Sequence, residues 1–111
     1  MNIIDYTTHG GKNLIKEYLD NLPKKEMLRG YQIRQKLMND GLEALQFLDT
    51  RQLNGKLWEI KFCANRIMYV IKDRETIYFL HVCQKQKDKA EKHELDKAIK
   101  RAKEYGLIDR S

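Results

Sequence analysis

Apolar positions along the chain change their period as it proceeds. Met1 to Tyr6 is a short apolar opening, and Thr-Thr-His-Gly-Gly at 7–11 follows it, which predicts a first strand and a turn. Leu14, Ile15, Tyr18, Leu19 and Leu22 then recur at helical spacing behind Asn13, whose side chain suits an N-cap, so a helix is predicted over 14–22. Pro23, the only proline, fits the first turn of a second helix that runs to about Asn39. Met27, Leu28, Tyr31, Ile33, Leu37 and Met38 cover one broad side of it, and Asp40-Gly41 supplies the stop. Together these segments predict a helical hairpin. Between Leu42 and Leu53 the signal is divided, because Leu42, Leu45 and Leu48 keep a helical rhythm while Thr50 to Gly55 reads as a loop.

From Lys56 the period becomes two. Trp58, Ile60 and Phe62 share one face of a predicted strand, with Glu59 and Lys61 on the other. Cys63-Ala64-Asn65 makes a turn, and Arg66 to Lys72 gives a second strand with Ile67, Tyr69 and Ile71 on one side. After another turn at Lys72 to Glu75, Thr76 to Cys83 is apolar on both faces, as an interior strand should be. Asp88 to Tyr105 returns to helical period, with Ala90, Leu95, Ala98, Ile99, Ala102 and Tyr105 on one stripe and Gly106 as C-cap. The predicted class is α+β: a mainly antiparallel sheet made of the N-terminal strand and a three-stranded meander, an N-terminal helical hairpin and a C-terminal helix. With 111 residues and no linker or repeat, residues 1–111 are expected to form a single domain.

Composition narrows the classes. Hydrophobic residues make up 41% and charged residues 34%, and Gly and Pro are sparse, which argues against disordered and low-complexity chains. No apolar run reaches the roughly 20 residues of a membrane helix, and Met-Asn-Ile-Ile-Asp lacks the basic start of a secretion signal, so the expected location is cytoplasmic with no membrane partner. Lys plus Arg number 22 against 16 Asp plus Glu, a formal charge of +6, which admits a polyanionic partner. Cys63 and Cys83 each sit in an apolar run, where a small buried thiol is expected rather than a disulfide.

Candidate chemistry is sparse apart from the cations. There is no Cys-x-x-Cys or His-x-x-x-His, His9, His81 and His93 are scattered, and the acidic residues fall mainly on helix surfaces, so neither a metal nor another cofactor is expected. Gly10-Gly11-Lys12 lacks the spacing of a phosphate-binding loop and reads as a turn. Lys61 and Arg66, by contrast, flank one turn of the meander, and Lys85 and Lys87 leave the third strand toward the same edge. These cations are placed to converge on one phosphate, with His81 either joining them or filling the sheet. The plain alternative is that lysines at strand ends block edge pairing and aid solubility. Arg66 and Lys85 are expected outside the core. Trp58, Tyr69 and Tyr78 are the aromatics near the meander that offer a base a stacking surface, and core packing is the expected role of Trp58.

The order of Leu57-Trp58-Glu59-Ile60-Lys61-Phe62, Asn65-Arg66-Ile67-Met68-Tyr69-Val70 and Leu80-His81-Val82-Cys83-Gln84-Lys85-Gln86-Lys87 resembles the HigB branch of the RelE-like toxins of type II toxin-antitoxin pairs. Gly11-Lys12, Tyr18 through Pro23 and Leu53-Asn54-Gly55-Lys56 extend the similarity over nearly the whole chain. The resemblance implies a RelE-like fold and a ribosome-dependent mRNA endoribonuclease, or mRNA interferase, that arrests growth. It also implies silencing by a cognate helix-turn-helix antitoxin, HigA-like, and a metal-free attack of the ribose 2'-hydroxyl on the adjacent phosphate. On this pattern Lys61, Arg66, Lys85 and His81 are the expected catalytic positions, and Lys87, Glu59 and Lys56 the further positions at the RNA. The chain departs from the pattern in two places: Glu59 stands where some relatives carry a second lysine, and no tyrosine occurs between Gln84 and Leu95. His81, Lys85 and Glu59 all remain candidates for the group that takes the 2'-hydroxyl proton. A non-catalytic RNA- or ribosome-binding module is the alternative use of the same patch.

Overall fold

The computed structural model describes residues 1–85 and 88–109 and is an α+β fold with a five-stranded mixed sheet and three α-helices. Chain order is β1 (Asn2–Asp5), α1 (Leu14–Asp20), α2 (Lys24–Asp40), a 3₁₀ helix over Gly41–Phe47, β2 (Asp49–Asn54), β3 (Leu57–Phe62), β4 (Asn65–Asp73), β5 (Thr76–Gln84) and α3 (Asp88–Glu104). In the sheet the order is β1-β5-β4-β3-β2, with β1 parallel to β5 and every other pair antiparallel. None of the helices is long and apolar enough to cross a membrane, among the described residues.

Each face of the sheet has its own core. Ile15 and Leu19 of α1 and Ile33 and Leu37 of α2 pack on Ile60, Phe62, Ile67, Tyr69, Ile77 and Phe79. On the other face Ala98 and Ala102 of α3 meet Leu57, Met68, Val70, Leu80 and Cys83. A bulge in β5 serves both layers: Met68 pairs with His81 and Tyr69 with Phe79, so Leu80 is the extra residue. Because a helical layer covers each side of it, β5 is apolar on both faces. The bulge turns His81 toward α3 instead of the α1–α2 layer.

Several predicted boundaries and placements need correction. The N-terminal helices do not form the simple hairpin expected. α1 ends at Asp20, Pro23 is the N-cap of α2 and not a first-turn residue, and α2 passes into the 3₁₀ helix that carries the chain back to the sheet. The meander has four strands, not three, since Asp49–Asn54 is a strand where a loop was expected. As an edge strand with only Thr50 and Leu53 partly covered, β2 has no need of the alternating apolar residues that mark a strand in sequence. Trp58 shares its face with Ile60 and Phe62 as predicted, yet it is 36% exposed and lies outside the core cluster of that face. Cys63 is exposed as well, at φ 53° in the tight β3–β4 turn, whereas Cys83 is buried; both thiols are free.

Gly30 shows how closely the first layer is packed. A Cβ there would lie 2.7 Å from Leu19 Cδ2 and 3.4 Å from Phe62 Cζ, and Leu19 has no exposed surface into which to retreat. On an isolated helix Gly→Ala gains about 1 kcal/mol. Here overpacking costs about 1–3 kcal/mol. Gly30→Ala is therefore expected to lower the urea midpoint, with a net loss on the order of 1 kcal/mol; a raised midpoint would show that Leu19 re-packs without strain.

Candidate functional site

The antiparallel register carries three of the predicted cations to one end of the sheet. Lys61 pairs with Arg66 across the β3–β4 turn and with Asp49 of β2 on its other side. The amide of Lys85 donates to the Ala64 carbonyl at 2.9 Å, which fastens the exit of β5 to that turn. A cleft of about 170 Å³ results, with Asp49, Lys61, Cys63, Asn65, Arg66 and Lys85 among its walls. Lys61 is half-buried and Lys85 exposed, and neither forms an ion pair with a described residue. Asn65 is held from the opposite layer: Tyr18 Oη donates to its Oδ1 at 2.7 Å, and its Nδ2 donates to Glu26 Oε1 at 2.8 Å. Burial pushes the Tyr18 phenol up to about 12, so it stays a donor.

Behind the cleft, on the α3 face, lies a network of arginines and carboxylates. Glu59 is fully buried; its Oε1 accepts from Arg51 Nη2 at 2.9 Å, and its Oε2 is 3.7 Å from Arg66 Nε. Arg66 Nη1 donates to Glu91 Oε1 at 2.9 Å, and Arg51 Nη2 is 3.5 Å from the same oxygen. Burial disfavours the Arg66 charge, but the bond to Glu91 and the nearby Glu59 charge outweigh it and raise its pKa. The bond from Arg66 likewise holds the Glu91 carboxyl below its ordinary range.

His81 belongs to a third group. Arg101 Nη1 donates to its Nδ1 at 2.9 Å and to the Leu80 carbonyl at 3.0 Å, which leaves the ring proton on Nε2 to be donated to Glu94 Oε2. Burial lowers the His81 pKa against the pull of Glu94, and Arg101 and Lys97 add to the lowering, so the neutral ring is favoured. The ligand atoms of His81, Cys83 and Glu94 lie within 4.8 Å of one another, a convergence of a buried strand pair and a helix residue that sequence spacing does not reveal. In this arrangement Glu94 ties the group together by hydrogen bonding to His81 and Cys83. The His81 nitrogen nearest Glu94 carries the proton, and burial pushes the Cys83 thiol up to about 12.

Of the positions singled out from sequence, Lys61, Arg66 and Lys85 meet at the cleft. Arg66 is not the surface residue expected, since it is only 2% exposed; its place in the middle strand under α3 buries it, and paired carboxylates make that burial tolerable. Glu59 stands behind the arginines, and His81 faces α3, so neither lines the cleft. Lys56 lies in the turn before β3, at the opposite end of that strand from Lys61, on the order of 16 Å away at roughly 3.3 Å per residue. Lys87 lies outside the described residues. Trp58 and Tyr69 belong to the opposite face, and Tyr69 is buried. Sequence reasoning missed Arg51, Asn65 and Glu91; the strand assignment of β2 was the signal that would have found Arg51, since it places Arg51 opposite Glu59.

A small basic α+β fold, with a sheet between helices and a cationic cleft at one end, is the class these observations define. The chain belongs to the Gp49-like phage-derived protein family (DUF891), whose model matches residues 17–103. This is a family of RelE/HigB-like toxin-type proteins, and its toxins pair with antitoxins. No curated protein matches the chain significantly.

Because folding lowers the His81 pKa below its ordinary 6.5, the unfolded chain binds the proton more readily. The associated stability is present above pH 6.5 and is lost as the pH falls from there toward the folded value. Urea midpoints measured from pH 8 to 5 should fall below pH 6.5 more steeply in the native chain than in His81→Gln. Equal slopes would mean that folding leaves the His81 pKa unshifted.

Proposed function

We propose that the chain is the toxin of a type II pair, an endoribonuclease that cuts mRNA on the ribosome and is neutralised by a HigA-like helix-turn-helix antitoxin. The observation that carries this reading is the convergence of Lys61, Arg66 and Lys85 on one cleft at the β3–β4 turn. In the reaction the ribose 2'-oxygen forms a bond to the adjacent phosphorus and the bond to the 5'-oxygen breaks. The products are a 2',3'-cyclic phosphate and a 5'-hydroxyl. Arg66, protonated and held from behind by the buried Glu59, stabilises the charge that develops on the phosphoryl oxygens. Among the candidates for the base, His81 and Glu59 are occupied behind the sheet, and Lys85 stands open at the cleft. A neutral Lys85 amine takes the 2'-hydroxyl proton, and Lys61 supplies one to the leaving 5'-oxygen. Glu59 and His81 act as positioning residues, the first through Arg66 and the second through the α3–β5 contact.

The purified protein on programmed ribosomes should leave cyclic phosphate and 5'-hydroxyl ends, and a message with a 2'-deoxy residue at the cut position should resist. Lys85→Ala should reduce cleavage by about 10²-fold, and Arg66→Lys, which keeps the charge beside Glu59 but loses the bidentate fork, by a similar factor. Lys24→Ala, on the exposed start of α2, serves as the charge control and should cut normally. Ends bearing 5'-phosphate, or full cutting at the 2'-deoxy position, would overturn the mechanism. Growth arrest on expression, relieved by the adjacent antitoxin gene, tests the partner; arrest without any cleavage would favour a binding module instead.

A further inference from the structure

Arg51 and Arg66 come from different strands, yet both reach the same oxygen of Glu91, at 3.5 and 2.9 Å. The two carboxylates of this network play unlike parts. Glu59 has no exposed side-chain surface, and displacing it would strand a buried charge between the strands. Glu91 comes from the start of α3 with 38% of its side chain exposed, so rotation of its own side chain takes it into water and leaves the core unchanged. Nor do these carboxylates saturate the arginines. Arg66 Nε has no hydrogen-bond partner among the described residues, although it is buried. A guanidinium offers five donors in a planar fork, and a phosphodiester with two non-bridging oxygens matches two such forks better than one carboxylate oxygen does.

The surroundings favour an extended polyanion over a lone ion. Arg66 lines the lysine cleft on one side and, on the other, a groove of about 460 Å³ between β2 and α3 that also includes Arg51, Gln52, Glu91 and Lys92. Arg66 is common to the two linings, so Lys85 and Lys61 border it on the cleft side and Arg51 and Lys92 on the groove side; Asp49 is the acidic residue of the cleft and Glu91 that of the groove. We infer that Arg51 and Arg66 form a two-arginine clamp for an RNA backbone phosphate, with Glu91 as its resting occupant, an internal competitor that the phosphate displaces. The inference rests on the reading of this cleft as an RNA site and adds to it Arg51 as a phosphate-binding residue and Glu91 as its regulator.

The test is fluorescence anisotropy with a labelled single-stranded RNA carrying 2'-O-methyl groups throughout, so that it binds without being cut. Full-length native protein is compared with Glu91→Gln, Arg51→Gln, the double variant and Asp96→Asn. The last removes the same charge from an exposed position on the same helix. Glu91→Gln should tighten binding about fivefold, the scale of one partly exposed ion pair. Asp96→Asn should not, and the gain should vanish when Arg51 is also replaced. Arg51→Gln keeps a donor for Glu59; if that variant does not fold, Arg51→Lys replaces it and should lose most of the gain. Equal effects of Glu91→Gln and Asp96→Asn, a gain that survives loss of Arg51, or no binding by the native and Glu91→Gln proteins alike would overturn the clamp. Cleavage on programmed ribosomes is scored separately. Clamp behaviour without cleavage sinks the nuclease reading alone, and cleavage without the Glu91 effect sinks the clamp alone.

Discussion

A carboxylate with no access to water, Glu59, is the constraint around which the candidate site is arranged. Such a group persists only where cations and donors replace its hydration, and removing one partner of a buried pair costs about 3–5 kcal/mol. Arg51 from the edge strand and Arg66 from the middle strand meet this need from opposite sides. Their positions follow from pairing, since Arg51 is directly opposite Glu59, and Arg66, two residues along β4 from the Met68 that pairs with Glu59, is its diagonal neighbour on the same face. A slip of one residue in either ladder would send these side chains to the other face. The same ion pairs that secure the register therefore hold the guanidiniums at the end of the sheet where the lysines emerge.

The sheet separates packing from chemistry. Its α1–α2 face is apolar, with the Arg34–Asp5 pair at 2.6 Å as a buried ionic contact at its margin, joining α2 to β1. Its α3 face is shared: apolar residues of β3–β5 meet Ala98 and Ala102, while Glu59, Arg66 and His81 meet Glu91, Glu94 and Arg101. α3 thus closes one core and sets the charge balance of the candidate site at once. The family is one of toxin-type proteins that pair with antitoxins, and the arrangement gives this member a sheet scaffold with a cationic cleft at one end.

Strong periodicity made most elements legible. The N-cap role of Asn13, the pairing faces of β3 and β4, the stripe of α3 and its stop at Gly106 all follow from local rules, because local backbone preference and burial agree there. β2 was not legible, since an edge strand buries too little to impose alternation, and with it went Arg51. The placement of α1 and α2 also escaped, because the stop after Asp20 and the 3₁₀ return after Gly41 answer to packing on the sheet.

The amino-acid sequence by itself determined the α+β class, the three meander strands it marked and the gathering of Lys61, Arg66 and Lys85 near one turn, since antiparallel pairing converts position along the chain into position at a sheet edge. Tertiary structure alone decided which of those cations are solvated and which are buried. Lys61 and Lys85 remain unpaired among the described residues, whereas α3 brings Glu91 onto Arg66, and the β5 bulge turns His81 away to Glu94 and Arg101. The physical reason is that the charge environment of a side chain depends on neighbours distant in sequence. Glu91 is 25 residues from Arg66, and only the packing of α3 across the sheet brings the two together.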